Sequence, residues 1–280
     1  MTRKLSFAII FLLGFSFAAN AASFQSLFAP DADLWARWTT HDGNSTKSID
    51  HAPWSAFLTQ YRHAGTDNIA RVSYGAVTPE SREALDAYLD SLSTLEISSY
   101  SRDQQFTFWV NLYNALTIRV ILDAYPVQSI QDIDISPGFF SDGPWDATLL
   151  AIEGKEITLN DIEHRILRPI WNDPRIHYVL NCASLGCPDL SASAFEPSEM
   201  ETTLDDAARA YINSSRGARV NEGILIASRI YDWFYEDFGS NEEDVIAHLR
   251  QYAEPDFATA LMASDSIDSY EYDWSLNDAN

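Results

Sequence analysis

Arg102–Ala124 reads RDQQFTFWVNLYNALTIRVILDA, and the fold turns on how this stretch is arranged. Apolar residues occupy most faces of the helix it predicts, the pattern of a helix enclosed at the centre of a domain. Tyr125-Pro126 ends it, because proline cannot continue the hydrogen-bond ladder. Asn111 and Asn114 stand three apart on one side of the run, together with Ile118. Buried amides must find donors and acceptors. Two uses are open to these: fastening the helix to neighbouring loops, or contacting a ligand.

Toward the N-terminus, Thr78-Pro79-Glu80 opens a helix through Leu92, with Leu85, Tyr88, Leu89 and Leu92 on one side. Arg71–Thr78 reads as a short extended piece. Trp54, Phe57, Leu58 and Tyr61 recur at helical spacing after Asp50-His51 and Pro53, while His41–Asp50 is a polar loop. Ser23–Arg37 is rich in aromatic and aliphatic residues and predicts a short helix packed on the body. The first residues have the form of a secretory signal. Arg3 and Lys4 precede the apolar run Leu5–Ala19, and Ala19-Asn20-Ala21 suits a small-x-small cleavage site. The run is shorter than the ~20 residues of a membrane-spanning helix, so a mature chain starting at Ala22 is expected rather than an anchor. Intact mass of the native protein reads that start directly.

Toward the C-terminus, Pro137–Pro144 is a loop. Two short strands, Ala147–Ile152 and Glu156–Leu159, flank a tight turn. Asn160 is placed to cap a helix over Asp161–Arg168, which carries Glu163, His164, Arg165 and Arg168. Arg175–Leu190, RIHYVLNCASLGCPDL, holds both cysteines of the chain and His177. Alternation over Ile176–Leu180 predicts a strand that delivers a Cys-x-x-x-x-Cys loop. Further on come a helix over Pro197–Asn213 and a hairpin around Asn221-Glu222-Gly223. The aromatic run Ile230–Phe238 stops at Gly239, and its acids Asp232, Glu236 and Asp237 read as a charged rim. A helix capped by Asn241 runs to about Ala253, another follows Pro255, and an edge strand carries Tyr270, Tyr272 and Trp274. No internal repeat or domain boundary interrupts the chain after the signal.

Composition narrows the chemistry. Without the signal, sixteen basic residues face 41 acidic ones, a formal charge of −25, with Lys47 and Lys155 the only lysines. Nucleic acid and anionic lipid surfaces would be repelled, so neither is an expected partner, and the acids read as a solvated face. An exported chain with two cysteines is read as oxidised, which predicts a Cys182–Cys187 bridge. So short a loop contributes only about 2 kcal/mol and shapes the loop more than it holds the domain. The competing use is Cys182 as nucleophile with His177 or His164 as base, since thiol hydrolases and acyltransferases need a thiolate beside an imidazole. The cysteine spacing is wider than a zinc knuckle and no second pair exists, so no metal is expected. No cofactor signature is present either: Gly-x-Ser-x-Gly, a phosphate-cradling loop and His-Glu-x-x-His are all missing from the sequence.

Five segments carry a family resemblance: FWVNLYNAL at Phe108–Leu116, LNDIEHRILR at Leu159–Arg168, DPRIHYVLNCASLGCPDL at Asp173–Leu190, WFYEDFG at Trp233–Gly239 and YDWSLN at Tyr272–Asn277. In this order they resemble the domain of unknown function 547 family. The segment from Ala22 to about Ser101 matches it less distinctly. The family brings no activity with it. Its pattern marks Asn111, Asn114, Glu163, His164, Arg165, His177, Asn181, Cys182 and Cys187.

The expectation is a mainly helical α+β protein. Residues 1–21 are the signal, 22–101 the N-terminal helical part, and 102–280 the core region of the same globular unit. The long helix packs against a small antiparallel sheet made of the two hairpins and the His177 strand. Cys182, His177 and His164 are the candidate catalytic residues. Asn111, Asn114, Glu163, Arg165 and Asn181 are the candidate ligand contacts, all converging on one polar cleft. The expected function is that of an exported periplasmic or extracellular protein binding a small-molecule, peptide-like or envelope-derived ligand. The alternative is a cysteine-dependent hydrolase or acyltransferase. A buried helix facing a Cys- and His-bearing sheet edge is also the layout of papain-like and transglutaminase-like enzymes. Those place their cysteine at a helix start, whereas this helix offers Asn111.

Overall fold

The Arg102–Ala124 helix forms over the span expected of it, and every side chain from Gln105 to Ile118 is buried. The computed structural model of the chain describes residues 30–138 and 143–279. The signal segment and the first part of Ser23–Arg37 lie outside them. What is described of the latter holds only a 3-10 turn at Ala36–Thr39. In chain order the helices are α1 (Ala52–Tyr61), α2 (Pro79–Ser93), α3 (Arg102–Ala124), α4 (Arg168–Trp171), α5 (Met200–Ile212), α6 (Ile230–Trp233), α7 (Tyr235–Phe238), α8 (Glu242–Tyr252) and α9 (Pro255–Leu261). The strands are β1 (Arg62–Ala64), β2 (Ala70–Val72), β3 (Leu150–Ile152), β4 (Lys155–Ile157), β5 (Ala218–Asn221), β6 (Ile224–Ser228) and β7 (Ser269–Glu271). The protein is a mainly helical α+β fold.

Local chemistry sets the helix ends. The Ser101 side chain accepts from Gln104 N and starts α3, and Thr78 accepts from Ser81 N with Pro79 in the first turn of α2. Asn241 likewise caps α8 through Asp244 N. α2 lays Leu85, Tyr88, Leu89 and Leu92 on α3, and these join Trp54, Leu58, Phe108, Trp109, Leu112 and Leu116 in one apolar cluster. Each such side chain contributes on the order of 2 kcal/mol by leaving water. A second cluster gathers Tyr178, Tyr211, Ile212, Leu225, Tyr231, Phe238, Val245 and Leu249.

Three expectations about local structure are corrected. Ile176–Leu180 is not a strand: Pro174–Tyr178 is a 3-10 turn, started by Pro174 and by the Asp173 carboxylate accepting from Arg175 N. Alternation misled because Ile176, His177, Tyr178, Val179 and Leu180 are all buried, so polar and apolar side chains do not part between core and water. Nor is there one sheet. β3 pairs only with β4, β1 pairs with β2, and the β5–β6 hairpin takes β7 on its other edge in parallel, with Ile226 opposite Ser269. A parallel partner is possible because α8 and α9 carry the chain back across before β7. Finally, Asn160 caps nothing. Thr158 Oγ1 accepts from Asp161 N at 3.0 Å, while Asn160 Nδ2 donates to Asp146 Oδ1 at 2.7 Å. The helix that follows is a π-helix, Asp161–Leu167, closed by Arg168 N donating to Glu163 O.

The tail does more than add an edge strand. Leu185 N and Gly186 N donate to Ser275 O and Asp273 O, Asn277 N donates to Ala183 O, and Val72 N donates to Asn277 O. One extended segment thus stitches the cysteine loop to β2.

Candidate thiol and imidazole site

The Pro174–Tyr178 turn lies between the two apolar clusters: Ile176 belongs to the first and Tyr178 to the second. His177, only 3% exposed, sits between them. Its Nε2 lies 2.6 Å from Asp237 Oδ2 and its Nδ1 3.7 Å from Glu163 Oε1, and its ring stacks on Phe234 at 4.4 Å. Arg168 completes the group, donating from Nε to Asp237 Oδ2 at 2.5 Å and from Nη1 to His164 Nδ1 at 2.9 Å, with its guanidinium over the Phe234 ring. The π-helix presents Glu163 and His164 together to the interior while Arg165 turns out. Burial lowers the His164 imidazole to about 4, which matches its role as acceptor from Arg168. Burial opposes ionisation of Asp237, but hydrogen bonds from His177 and Arg168 outweigh it and hold that carboxyl at about 2.

The cysteine loop is bound separately. Asn114 holds both sides of its approach, donating from Nδ2 to Val179 O at 2.9 Å and accepting from Asn181 N at 2.8 Å. Asn181 then accepts from Ala183 N and donates to Pro188 O. Asn111 lies apart from the loop and clasps Phe195 through both its backbone N–H and C=O. Ala183 adopts φ +59°, a left-handed conformation that costs a non-glycine residue roughly 1–2 kcal/mol. The Asn181 and Asn277 contacts hold it there.

Cys182 is half-buried and Cys187 buried, with their sulfurs 2.7 Å apart and no bond between them. Cys182 N donates to Cys187 Sγ at 2.9 Å. Around Cys182 Sγ stand Tyr272 Oη at 3.0 Å and Ser184 Oγ at 3.4 Å, and Ser184 in turn donates to Tyr272 Oη at 2.9 Å. Burial pushes the Tyr272 hydroxyl well above its ordinary value, so it stays protonated and can donate to sulfur. Burial alone would raise the Cys182 thiol; the Cys187 thiol, with Ser184 Oγ and Tyr272 Oη close by, overcomes this and brings it below its ordinary value. The Cys187 thiol is driven well up by burial. Arranged this way, Cys182 carries the more acidic of the two thiols.

Of the residues nominated from sequence, Glu163, His164 and His177 meet in one buried cluster, and Asn114, Asn181, Cys182 and Cys187 in the adjoining loop. Arg165 stands outside both. It bridges to Asp161 at 2.8 Å and lies over the Trp35 ring. Neither imidazole is a hydrogen-bond partner of Cys182 among the described residues. The side chains that the sequence left without a role are Tyr272, Ser184 and Asp237, the last read only as part of a rim. Tyr272 and Asp237 nevertheless sit inside YDWSLN and WFYEDFG, which is the signal that could have found them.

An open cleft of about 580 Å³ borders the cysteine loop, lined by Gly186, Ser215, Arg216, Arg219, Arg229 and Tyr272 among others. Gly186 is needed there, because a Cβ would fall 2.7 Å from Asp273 N. Among the described residues no group of three or more His, Cys, Asp or Glu side chains is placed to hold a metal ion, and no helix is long and apolar enough to cross a membrane.

No curated protein and no solved structure matches the chain. Three of the five family segments, the central helix, Leu159–Arg168 and the cysteine loop, fall within residues 97–212, and WFYEDFG and YDWSLN lie beyond. Residues 97–212 match the family model described as Protein of unknown function, DUF547, and the resemblance these three segments carry is to that family.

Proposed function

We propose that this chain is an exported protein that binds a peptide-like or envelope-derived ligand in the cleft beside the cysteine loop. One observation carries the reading: Tyr272 lines the cleft with its body and touches Cys182 Sγ with its hydroxyl, so an occupant of the cleft lies one side chain away from the thiol. The other polar side chains around His177 and Asn111 are buried and paired with one another or with backbone. Export rests on the Arg3–Ala21 sequence, outside the described residues. Trp233 and Trp274 pack on Tyr272 with ring centroids 4.8 and 4.7 Å away, and they provide an intrinsic reporter. Titration with short peptides such as N-acetyl-dialanine should change tryptophan fluorescence in the native chain. Ser215→Trp, which fills the exposed mouth of the cleft, should abolish saturation. A saturable signal that survives unchanged in Ser215→Trp places the ligand elsewhere and overturns the assignment.

A second reading is favoured by the lowered Cys182 thiol: a cysteine-dependent hydrolase or acyltransferase. The Cys182 thiolate would attack a ligand carbonyl, forming a thioester and expelling the amine with a proton, and water or a second amine would then take the acyl group and free the thiol. Iodoacetamide labelling of the unreduced protein tests it. The expected result is labelling of Cys182 with a pH midpoint below the usual value near 8.5 for a cysteine, moved up by about one unit in Tyr272→Phe. The sulfurs need only close by about 0.7 Å to reach bonding distance. A native protein that takes no label until reduced is bridged, as expected from its export, and Cys182 is then not a resting nucleophile.

A further inference from the structure

We infer that the cleft beside the cysteine loop is a carboxylate-recognition site in which Arg229 is the primary anchor and Arg216 the second donor. The inference rests on the reading that this cleft binds a ligand, and it names the ligand's charged group. A chain of net charge −23 gathers three of its eighteen basic residues, Arg216, Arg219 and Arg229, on the lining of one cleft. They differ in how much hydrogen-bonding capacity they have left. Arg219 is used locally, donating to Ser215 O and to Glu271 Oε2. Arg216 holds the cysteine loop by donating from Nη1 to Cys187 O at 2.7 Å and from Nη2 to Asp189 Oδ1 at 2.6 Å, but its buried Nε has no hydrogen-bond partner among the described residues. Arg229 has the most left. Among the described residues its guanidinium reaches the Asp232 carboxylate, with Nη1 at 3.5 Å from Oδ2, and this buried Nη1 makes no hydrogen bond to any of them.

A buried guanidinium N–H without an acceptor is costly, and a rotation of the partly exposed Arg229 side chain that turns Nη1 into the cleft would let an oxyanion there accept from it. The Arg229 backbone is fixed, since it follows directly on β6 and its N donates to Glu271 O at 3.0 Å. The charge of the anion is limited by the other lining groups. Glu271 and Asp273 border the same cleft, so a single negative charge is tolerated where a doubly charged phosphate would be repelled. A peptide or amino-acid carboxylate meets both demands, since its planar pair of oxygens fits the guanidinium fork.

The test is calorimetric titration of the full chain with N-acetyl-dialanine, with the same compound as its C-terminal amide, and with inorganic phosphate. The free acid should bind about tenfold or more tightly than the amide, the effect of one charge-assisted hydrogen bond. Arg229→Gln should erase that preference, and Arg229→Lys, which keeps the charge and loses the fork, should retain part of it. Thermal melting confirms that each variant is folded, and Arg229→Lys carries the test if Arg229→Gln is not. Equal affinity for acid and amide overturns the carboxylate site while leaving the cleft a binding site. Phosphate bound as tightly as the acid overturns the single-charge argument. No binding of any probe overturns both the carboxylate site and the cleft assignment beneath it.

Discussion

His164 shows how burial turns one side chain into a pH-sensitive element of stability. Its Nδ1 accepts from Arg168 and its environment lowers it to about 4, so the folded chain holds it neutral. The unfolded chain, with an ordinary value near 6.5, takes up the proton first as pH falls. Stability therefore declines below about pH 6.5, and the His164 share of the loss, about 3 kcal/mol at ~1.4 kcal/mol per unit, is complete near pH 4. His51 and His248 are also lowered by burial to about 4 and act over the same window. Asp237, held at about 2, keeps its stabilising effect until pH drops below about 4 and does not mask them. Urea unfolding between pH 7 and 4.5 should show this fall, and His164→Asn should make it shallower. Equal slopes in the two proteins would remove His164 from the account. Which histidines behave this way is not visible in the sequence, since desolvation depends on neighbours supplied by distant segments.

At the level of elements, the central helix acts as a fixture for loops through its two amides. Asn114 satisfies Val179 O and Asn181 N at once, so Asn114→Ala leaves a buried carbonyl and a buried N–H unpartnered, at roughly 2–5 kcal/mol together. Urea titration of the variant should show a loss of that size, and a change below about 1 kcal/mol would mean that the loop does not depend on the amide. The helix ends themselves were legible in the sequence. Thr78-Pro79, Asn241 and Tyr125-Pro126 act within a few residues of where they stand. The Ile176–Leu180 segment was not, because period-two alternation signals a strand only where one face meets water, and here Pro174 and Asp173 set a 3-10 turn inside the protein. The π-helix at Asp161–Leu167 was equally hidden: its sequence suits an ordinary helix, and the extra residue per turn places Glu163 and His164 against partners from elsewhere in the chain.

For the molecule as a whole, long-range closure by the C-terminal tail governs the site. Tyr272, Asp273 and Ser275 reach back to a loop nearly ninety residues earlier, where they supply the hydroxyl beside Cys182 and the carbonyls that hold Leu185 and Gly186. The sequence by itself determined the helical class, the buried central helix with its proline stop, the two hairpins it marked, the acidic balance and the segments that carry the DUF547 likeness. These follow from local propensity and composition. Only the tertiary structure decided that the nominated histidines and amides pair inward and that Tyr272 and Ser184 accompany the thiol. It also placed the open cleft among arginines that no motif had marked. The physical reason is that burial, hydrogen-bond satisfaction and charge environment are properties of what surrounds a side chain, and in this fold the surroundings come from segments far apart in sequence.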